Sequence, residues 1–296
     1  MQNFPKVSII VLNYNGKDFI KKTLMSVFNL NYPNFETILV DNASTDGSLE
    51  MLRGFFPNLL IIKNNVNKGF SGGNNEGIKY VLERKADFIL LLNYDTEVEK
   101  SFLTNLIFSA QKSEKIGLVS PIIFSKNSSK IWFSGGKIDW MRMKTIHERE
   151  KRTHDYAKSD YLTGCSLLIK TEVFKKIGLL DEDYFLYWED ADFSVRAKKA
   201  GYDLVVSSKS RIFHFEKSEN KENKENKIYW LILSGLIFFQ KNAYFWQKIW
   251  LKPYILARKT KNYFDLKKEK NTLAKIVKKA YDDFGKRKKG TIHNNC

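Results

Sequence analysis

Through the first two fifths of the chain, apolar runs rich in β-branched residues alternate with stretches whose apolar positions recur every three or four residues. No other feature constrains the fold as tightly, because this is the pattern of parallel strands joined by crossover helices, with both sheet faces covered. Strands are predicted near 7–12, 35–40, 59–63, 87–92 and 116–120, and helices near 17–29, 46–54, 74–85 and 100–113. From about Ile122 the segments shorten and mix, with Gly135-Gly136 at a hairpin turn or bend. A strand at 161–169, helices at 171–177 and 189–200, and short strands near 203–206 and 211–215 complete the expected domain. The fold class is α/β with a mostly parallel central sheet over residues 1–216.

The net positive charge lies mainly beyond that domain. Residues 217–296 hold 20 Lys and Arg against 7 Asp and Glu, a net +13 of the chain's +17. They divide into a helical aromatic and basic extension, 217–285, and a short basic end, 286–296, expected to be disordered. Lys217 to Lys227, in which Lys-Glu-Asn occurs twice, reads as a linker or as the solvated start of a helix. From 228 to 264, aromatic residues interleave with Lys and Arg. That suits either a helix lying in a membrane interface or a helical cap on the domain or on a partner copy. The apolar stretch there is shorter than the roughly 20 residues that cross a bilayer. An anionic membrane surface is the expected partner, a homodimer is admitted, and no nucleic acid is expected because the charge lies outside the motif-bearing domain. Two cysteines, Cys165 and Cys296, give neither a disulfide framework nor a zinc cluster, and Met1–Lys6 leaves no room for an export signal before the strand at Val7. The expected location is the cytoplasm, peripheral on the inner face of the cell membrane.

In an open α/β sheet, ligands bind beyond the carboxyl ends of the strands. Four polar clusters stand there: Asn13-Tyr14-Asn15-Gly16, Asp41-Asn42-Ala43-Ser44-Thr45-Asp46-Gly47-Ser48, Asn67-Lys68-Gly69-Phe70-Ser71-Gly72-Gly73-Asn74-Asn75, and Asn93-Tyr94-Asp95-Thr96. Two readings stand for Asp41: a carboxylate accepting from the imide N–H of a uracil or thymine, or a cap for the following turn. The glycines at 69, 72 and 73 let backbone approach a ligand, and a helix beginning near Asn74 would turn its N–H groups toward phosphate, with Lys68 adding charge. This is not a G-x-G-x-x-G fingerprint, and it follows the third strand, so a dehydrogenase is disfavoured.

These clusters, in this order, resemble the family 2 glycosyltransferases, especially the rhamnosyltransferase-like branch, whose members show similar Asn-Tyr-Asn, Val-Asp-Asn-x-Ser-x-Asp-Gly and Asn-x-Gly-Phe motifs. Thr163-Gly164-Cys165, Gly178-Leu-Leu-Asp181-Glu182, Tyr187-Trp188-Glu189-Asp190-Ala191-Asp192 and Arg196 are similar to the family's second half. The resemblance spans roughly 7–218 and implies a GT-A-like fold that moves a sugar, with inversion, from dTDP-rhamnose or a UDP-sugar to a glycan or lipid-linked acceptor. It implies a donor site from Asn13, Tyr14, Asn15, Asp41, Asn42, Ser44, Asn67, Lys68, Gly69, Gly73, Asn74 and Asn93. It further implies Mg²⁺ or Mn²⁺ at Asp95, with His214 reaching the metal or diphosphate and Ser218 closing the segment. Asn93 replaces the first carboxylate of the Asp-x-Asp motif, and Tyr94 replaces the branch's proline, which puts the loop's rigidity in question. The resemblance places the general base in the Glu189-Asp190 pair, assigned to Asp190 with Glu189 as alternate, and the acceptor region at Thr163, Gly164 and Trp188. Asp192 and Arg196, four apart on a helix, read as a supporting ion pair. Competing readings are a nucleotidyltransferase of similar fold, which would carry a triphosphate loop after the first strand, and a basic nucleic-acid or membrane-binding protein without catalysis.

Overall fold

The computed structural model describes residues 4–128, 130–215, 221–267 and 271–288. The first half alternates β1 (Val7–Asn13), α1 (Ile20–Phe28), β2 (Phe35–Asp41), α2 (Ser48–Phe55), β3 (Leu60–Lys63), α3 (Gly69–Leu82) and β4 (Phe88–Asn93). Then come β5 (Thr96–Val98), α4 (Phe102–Ala110), β6 (Ile116–Ser125), β7 (Ile131–Phe133), β8 (Gly136–Asp139), β9 (Lys144–His147) and β10 (Tyr156–Lys158). The domain closes with β11 (Ser166–Lys170), α5 (Thr171–Ile177), α6 (Glu189–Lys199) and β12 (Asp203–His214). Three helices follow: α7 (Lys221–Asn242), α8 (Phe245–Leu266) and α9 (Thr272–Lys288).

The main sheet runs β10-β12-β6-β11-β4-β1-β2-β3, with β5 added on β12 and β7 on β6. Every residue of β1 is buried, as a central parallel strand covered on both faces requires. Parallel pairing joins β3 to β2, β2 to β1, β1 to β4, and β6 to β12. β11 is wedged antiparallel between β4 and β6. This reversal decides where the site lies. It brings the segment entering β11, Thr163-Gly164-Cys165, to the rim where β1, β2, β4, β6 and β12 end, and the amide of Asn93 donates to the Cys165 carbonyl at 3.0 Å.

Several boundaries differ from expectation. α3 begins at Gly69, five residues before the expected 74, because its glycines let a helix lie close on the sheet. A Cβ at Gly77 would stand 2.8 Å from Ile10, and one at Gly73 would stand 2.6 Å from Leu12. β6 continues through Pro121 to Ser125, and the two short strands expected near 203–206 and 211–215 are one strand, β12, with an irregularity between Ser207 and Arg211 opposite Pro121 and Ile122. A proline without an N–H to donate fits at such a break. β11 starts at Ser166, not 161. Gly135, at φ +134°, is the bend between β7 and β8, whereas the hairpin turn lies between β8 and β9.

Of the two readings of 217–227, the helix start holds from Lys221 onward. α7 packs its Leu233, Leu236, Ile237, Phe238 and Phe239 out of solvent, so the aromatic stretch from 228 divides into a domain-packing helix and a second helix of different exposure. α9 continues through Lys286, Arg287 and Lys288, and Arg287 donates to the Asp183 carbonyl at 3.1 Å, so the expected disorder does not begin at 286. Residues 289–296, in the rest of that end, lie outside the described residues, as does Ser218.

Candidate active site

The first three loops form one hydrogen-bonded rim. Asn13 and Asp41 are register partners at the ends of β1 and β2, and both are fully buried. The Asn13 amide donates to Asp41 Oδ1 at 3.1 Å and to the hydroxyls of Ser44 and Ser48, each at 3.0 Å. The Ser44 amide donates to the other Asp41 oxygen at 3.3 Å. Asp41 therefore caps its own turn, as the second of its two readings expects. Asn15 donates its backbone N–H to Ser44 Oγ at 3.0 Å and accepts from the Thr45 amide at 2.8 Å. Asn42 ties the third loop to the second: its amide donates to Asn67 Oδ1 at 2.8 Å, and its oxygen accepts from the Lys68 amide at 3.1 Å. Tyr14 stays exposed at the rim.

The glycine loop is tied into the protein at several points. The first amides of α3 are satisfied by protein, Gly69 N–H by Asn67 Oδ1 at 2.9 Å and Phe70 N–H by the Phe185 carbonyl at 2.7 Å. Gly69, at φ +70°, has the Phe185 carbonyl 2.3 Å from where its Cβ would sit. Gly69 and Gly73 thus allow neighbouring protein atoms to come close. Lys68 Nζ pairs with Glu76 at 3.0 Å. Asn74 bonds back to the Phe70 carbonyl within its own helix. Its neighbour Asn75, which the sequence did not single out as a site residue, holds the 180–182 segment through Leu180 and Glu182 at 2.9 Å each.

Asp95 and His214 come together although they lie more than a hundred positions apart. His214 Nε2 stands 3.5 Å from Asp95 Oδ1, and β12 pairs His214 with Thr96 across β5. The Phe215 amide donates to the Asp95 carbonyl at 2.8 Å, so the loop is tied to the end of β12. Tyr94 needs no proline to be held: its carbonyl accepts from the Thr23 hydroxyl, and its ring lies where a Gly16 Cβ would be, at 2.6 Å. Asp95 Oδ1 and His214 Nδ1 are buried without hydrogen-bond partners. A carboxylate oxygen with unused lone pairs beside an imidazole is a donor set that fits Mn²⁺ or Mg²⁺. Among the described residues no group of three or more His, Cys, Asp or Glu could hold a metal unaided. A cation here takes its remaining ligands from elsewhere, as Mg²⁺ does when substrate phosphates complete its shell.

The acidic pair sits at the amino end of α6, beyond two consecutive left-handed residues, Tyr187 at φ +66° and Trp188 at φ +70°. Asp190 Oδ2 accepts from the Gly164 amide at 3.0 Å and Oδ1 from the Ala191 amide at 2.7 Å. Burial raises the Asp190 carboxyl above the usual range, against these bonds and one from Thr163. Glu189 is 5 % exposed and its Oε2 has no partner; burial and then the charge of Asp190 push its carboxyl well above the ordinary value. Of the two, Asp190 is the better placed to hold the charge, because it accepts from the Gly164 and Ala191 amides and from Thr163, whereas Glu189 has a single backbone bond and its Oε2 has none. The Cys165 thiol is also pushed up, by burial and then by Asp95 and Asp190.

Trp188 is buried against the extension. Its Nε1 donates to the Leu231 carbonyl of α7 at 3.0 Å and its ring lies 5.0 Å from that of Phe238, so it anchors the extension. Thr163 and Gly164 serve the Asp190 carboxylate directly. Asp192 and Arg196 form the expected ion pair at 2.7 Å, and Asn242 at the end of α7 donates to the free Asp192 oxygen at 2.7 Å.

Residues 8–178, more than half of the chain, match the Glycosyl transferase family 2 profile. The chain belongs to that family. Glu189, Asp190 and His214 lie beyond the matched stretch of this family 2 glycosyltransferase. It is 27 % identical over 202 residues to the low-salt glycan biosynthesis hexosyltransferase Agl10 of Haloferax volcanii, covering 67 % of this chain and 63 % of that one. Identity is 22 % over 230 residues with the N-acetylglucosaminyl-diphospho-decaprenol L-rhamnosyltransferase of Mycobacterium tuberculosis, over 70 % and 75 % of the two chains. The mannosyltransferase PcManGT from Pyrobaculum calidifontis, solved with GDP-Man and Mn²⁺, shares the fold at TM-score 0.59 and 16 % identity, over 97 % of this chain and 89 % of that one. The fold is GT-A-like, with C-terminal helices added. The chain spans about half to three quarters of the length of the curated relatives it matches.

Proposed function

We propose that this family 2 member moves a sugar, with inversion and metal assistance, from a nucleoside diphosphate donor to a hydroxyl of a glycan or lipid-linked acceptor in surface polysaccharide synthesis. dTDP-rhamnose and UDP-sugars are both admitted as donors. One observation carries the reading: Asp95, with an unsatisfied buried oxygen, and Asp190, held as an anion by Gly164 and Ala191, flank the same short segment, Thr163–Cys165. In this reading Asp190 takes the proton of the acceptor hydroxyl as its oxygen bonds to the anomeric carbon. The bond from that carbon to the diphosphate breaks on the opposite face, and the electron pair leaves with the nucleoside diphosphate. Asp95 and His214 would hold the divalent cation, whose chemistry is to stabilise charge on the departing diphosphate. Asn13, Asp41, Asn42, Ser44 and Asn67 act by fixing the loops that receive the donor, with Tyr14 and Asn93 at their edge. The names of the relatives support this reading: one acts in glycan biosynthesis, one is a rhamnosyltransferase for a decaprenol diphosphate, and one was solved with GDP-Man and Mn²⁺.

The test is release of nucleoside diphosphate from a panel of nucleotide sugars, with Mn²⁺, Mg²⁺ or a chelator. Asp95→Ala and Asp190→Asn are expected to keep the native circular dichroism and to lose turnover. Full turnover by both variants would overturn the assignment.

A further inference from the structure

The extension spends its apolar residues in two different ways. α7 turns its own onto the domain, whereas α8 turns a second set away from it. At 100° per residue, Phe245, Ile249, Leu256 and Tyr263 fall within about 40° of one another, with Trp246 and Phe264 beside them. Their exposures are high: Phe245 81 %, Leu256 64 %, Trp246 62 % and Ile249 60 %. The buried residues of α8, Gln247 and Leu251, lie on the opposite side. α8 is nevertheless not a loose arm. Trp250 Nε1 donates to the Met141 carbonyl and the Tyr254 hydroxyl to the Arg142 carbonyl, each at 3.1 Å, so the helix is fixed on the turn between β8 and β9.

We propose that the outer face of α8 docks the protein flat on an anionic lipid bilayer. Charge argues for this occupant. Lys248, Lys252 and Lys259 form a row along one flank of the apolar stripe and Lys261 lies on the other, while Asp265 is the one acid in the helix. An aromatic stripe bordered by lysines matches a bilayer interface, with rings at the acyl boundary and ammonium groups among anionic headgroups. A second copy of the helix would offer those lysines no acidic row to meet. No helix among the described residues is long and apolar enough to cross a membrane, so the contact is one of lying on the surface. Only Ala243 and Tyr244 separate α8 from α7, whose Asn242 holds Asp192 in α6. The docked helix therefore fixes the height and tilt of the acidic pair above the bilayer. This inference concerns binding alone and stands whether or not the sugar-transfer reading holds.

The experiment is co-sedimentation of the full chain with vesicles of phosphatidylcholine alone or mixed with phosphatidylglycerol. The parent is expected to bind the anionic vesicles, at least about tenfold more weakly as salt rises, and to ignore the neutral ones. The double variant Ile249→Glu, Leu256→Glu changes only exposed positions, and it should lose binding by about tenfold or more with an unchanged thermal transition. Replacing Lys248, Lys252 and Lys259 by Gln should weaken binding on the order of 100-fold. The proposal is overturned if the parent does not bind, if the glutamate variant binds as the parent does, or if the parent is a dimer in light scattering that this variant dissolves.

Discussion

Replacing Glu189 by Gln separates the roles of the two adjacent carboxyls. In the native chain Glu189 is buried, lacks a donor for Oε2, and has its carboxyl pushed up by burial and by the Asp190 charge. Both causes favour the protonated side chain, and Gln is a near-isosteric copy of that neutral form. Asp190 is the opposite case, since Asn cannot take a proton and loses the ionic bonds to Gly164 and Ala191. A general base is worth roughly 10²- to 10⁴-fold in rate, so Asp190→Asn should lower kcat by that factor with the donor KM little changed. Glu189→Gln should stay within about fivefold of the parent, well below the loss expected for a base. The stability of the two proteins should also differ with pH, and the sign is fixed. A carboxyl raised in the folded state keeps its proton there after the unfolded chain has released it near pH 4.3, so stability falls as pH rises from that value toward the raised one. The slope is about 1.4 kcal/mol per pH unit for each such proton. Glu189→Gln removes one proton from this count, so chemical denaturation at several pH values should show the variant's decline flattened by up to that slope. A kcat for Glu189→Gln as low as that of Asp190→Asn, or an unchanged pH slope, would refute the assignment of proton and charge within the pair.

Three further substitutions test the supporting structure. Asp95→Ala keeps the backbone carbonyl that receives the Phe215 amide but removes the unsatisfied oxygen beside His214, so Mn²⁺-dependent binding of nucleoside diphosphate should vanish in calorimetry while the fold persists. Asn242→Ala leaves the Asp192 oxygen with only the Tyr184 hydroxyl at 3.3 Å; losing a bond to a charged group costs about 1.5–3 kcal/mol, a fall of several degrees in Tm, and an unchanged Tm would deny α7 its hold on α6. Gly69→Ala forces a Cβ onto the Phe185 carbonyl at positive φ and should cost more than about 2 kcal/mol in denaturation, whereas Gly54→Ala, with open space around it in α2, should stabilise by about 0.5–1 kcal/mol.

The central strands were legible because burial on both faces leaves an uninterrupted apolar run, and β1, β2 and β4 lie within a residue of their predicted limits. α3 was misread at its start because Gly and Asn carry low helix propensity, while the requirement that overrides it, close packing of Gly73 and Gly77 on Leu12 and Ile10, comes from the sheet. With the helix starting there, Asn74 bonds back within its own helix and Asn75 makes the long-range bonds. The pairing of Asp95 with His214 was reachable through the ordered motifs. The role of Trp188 was not, because an aromatic beside two acids gives no sign in sequence that its partner is Leu231 in a helix that starts thirty-odd residues later. Asp41 shows the limit of a motif in another way, since the same strand-end carboxylate suits a base or a turn, and the turn bond with Ser44 is visible only in the structure.

That hidden contact matters most for how the acidic pair is presented. Two consecutive non-glycine residues in the left-handed region, Tyr187 and Trp188, each cost on the order of 1–2 kcal/mol and persist only where their surroundings over-determine them. α7 supplies those surroundings: it accepts the Trp188 indole N–H at Leu231, packs Phe238 tilted and Phe239 edge-on against the ring, and donates from Ser234 to the Leu186 carbonyl at 2.8 Å. The left-handed turn in exchange starts α6 so that Asp190 meets the Gly164 amide that the reversed β11 has carried to the rim. Neither half of this arrangement holds the acid in place alone, since the antiparallel strand provides the donor and the helix beyond the family-matched region provides the strain that aims the carboxylate at it. A GT-A-like sheet with the right motifs but no helix against Trp188 would thus be free to relax the turn, and the carboxylate would leave its donor without any change in the sheet itself.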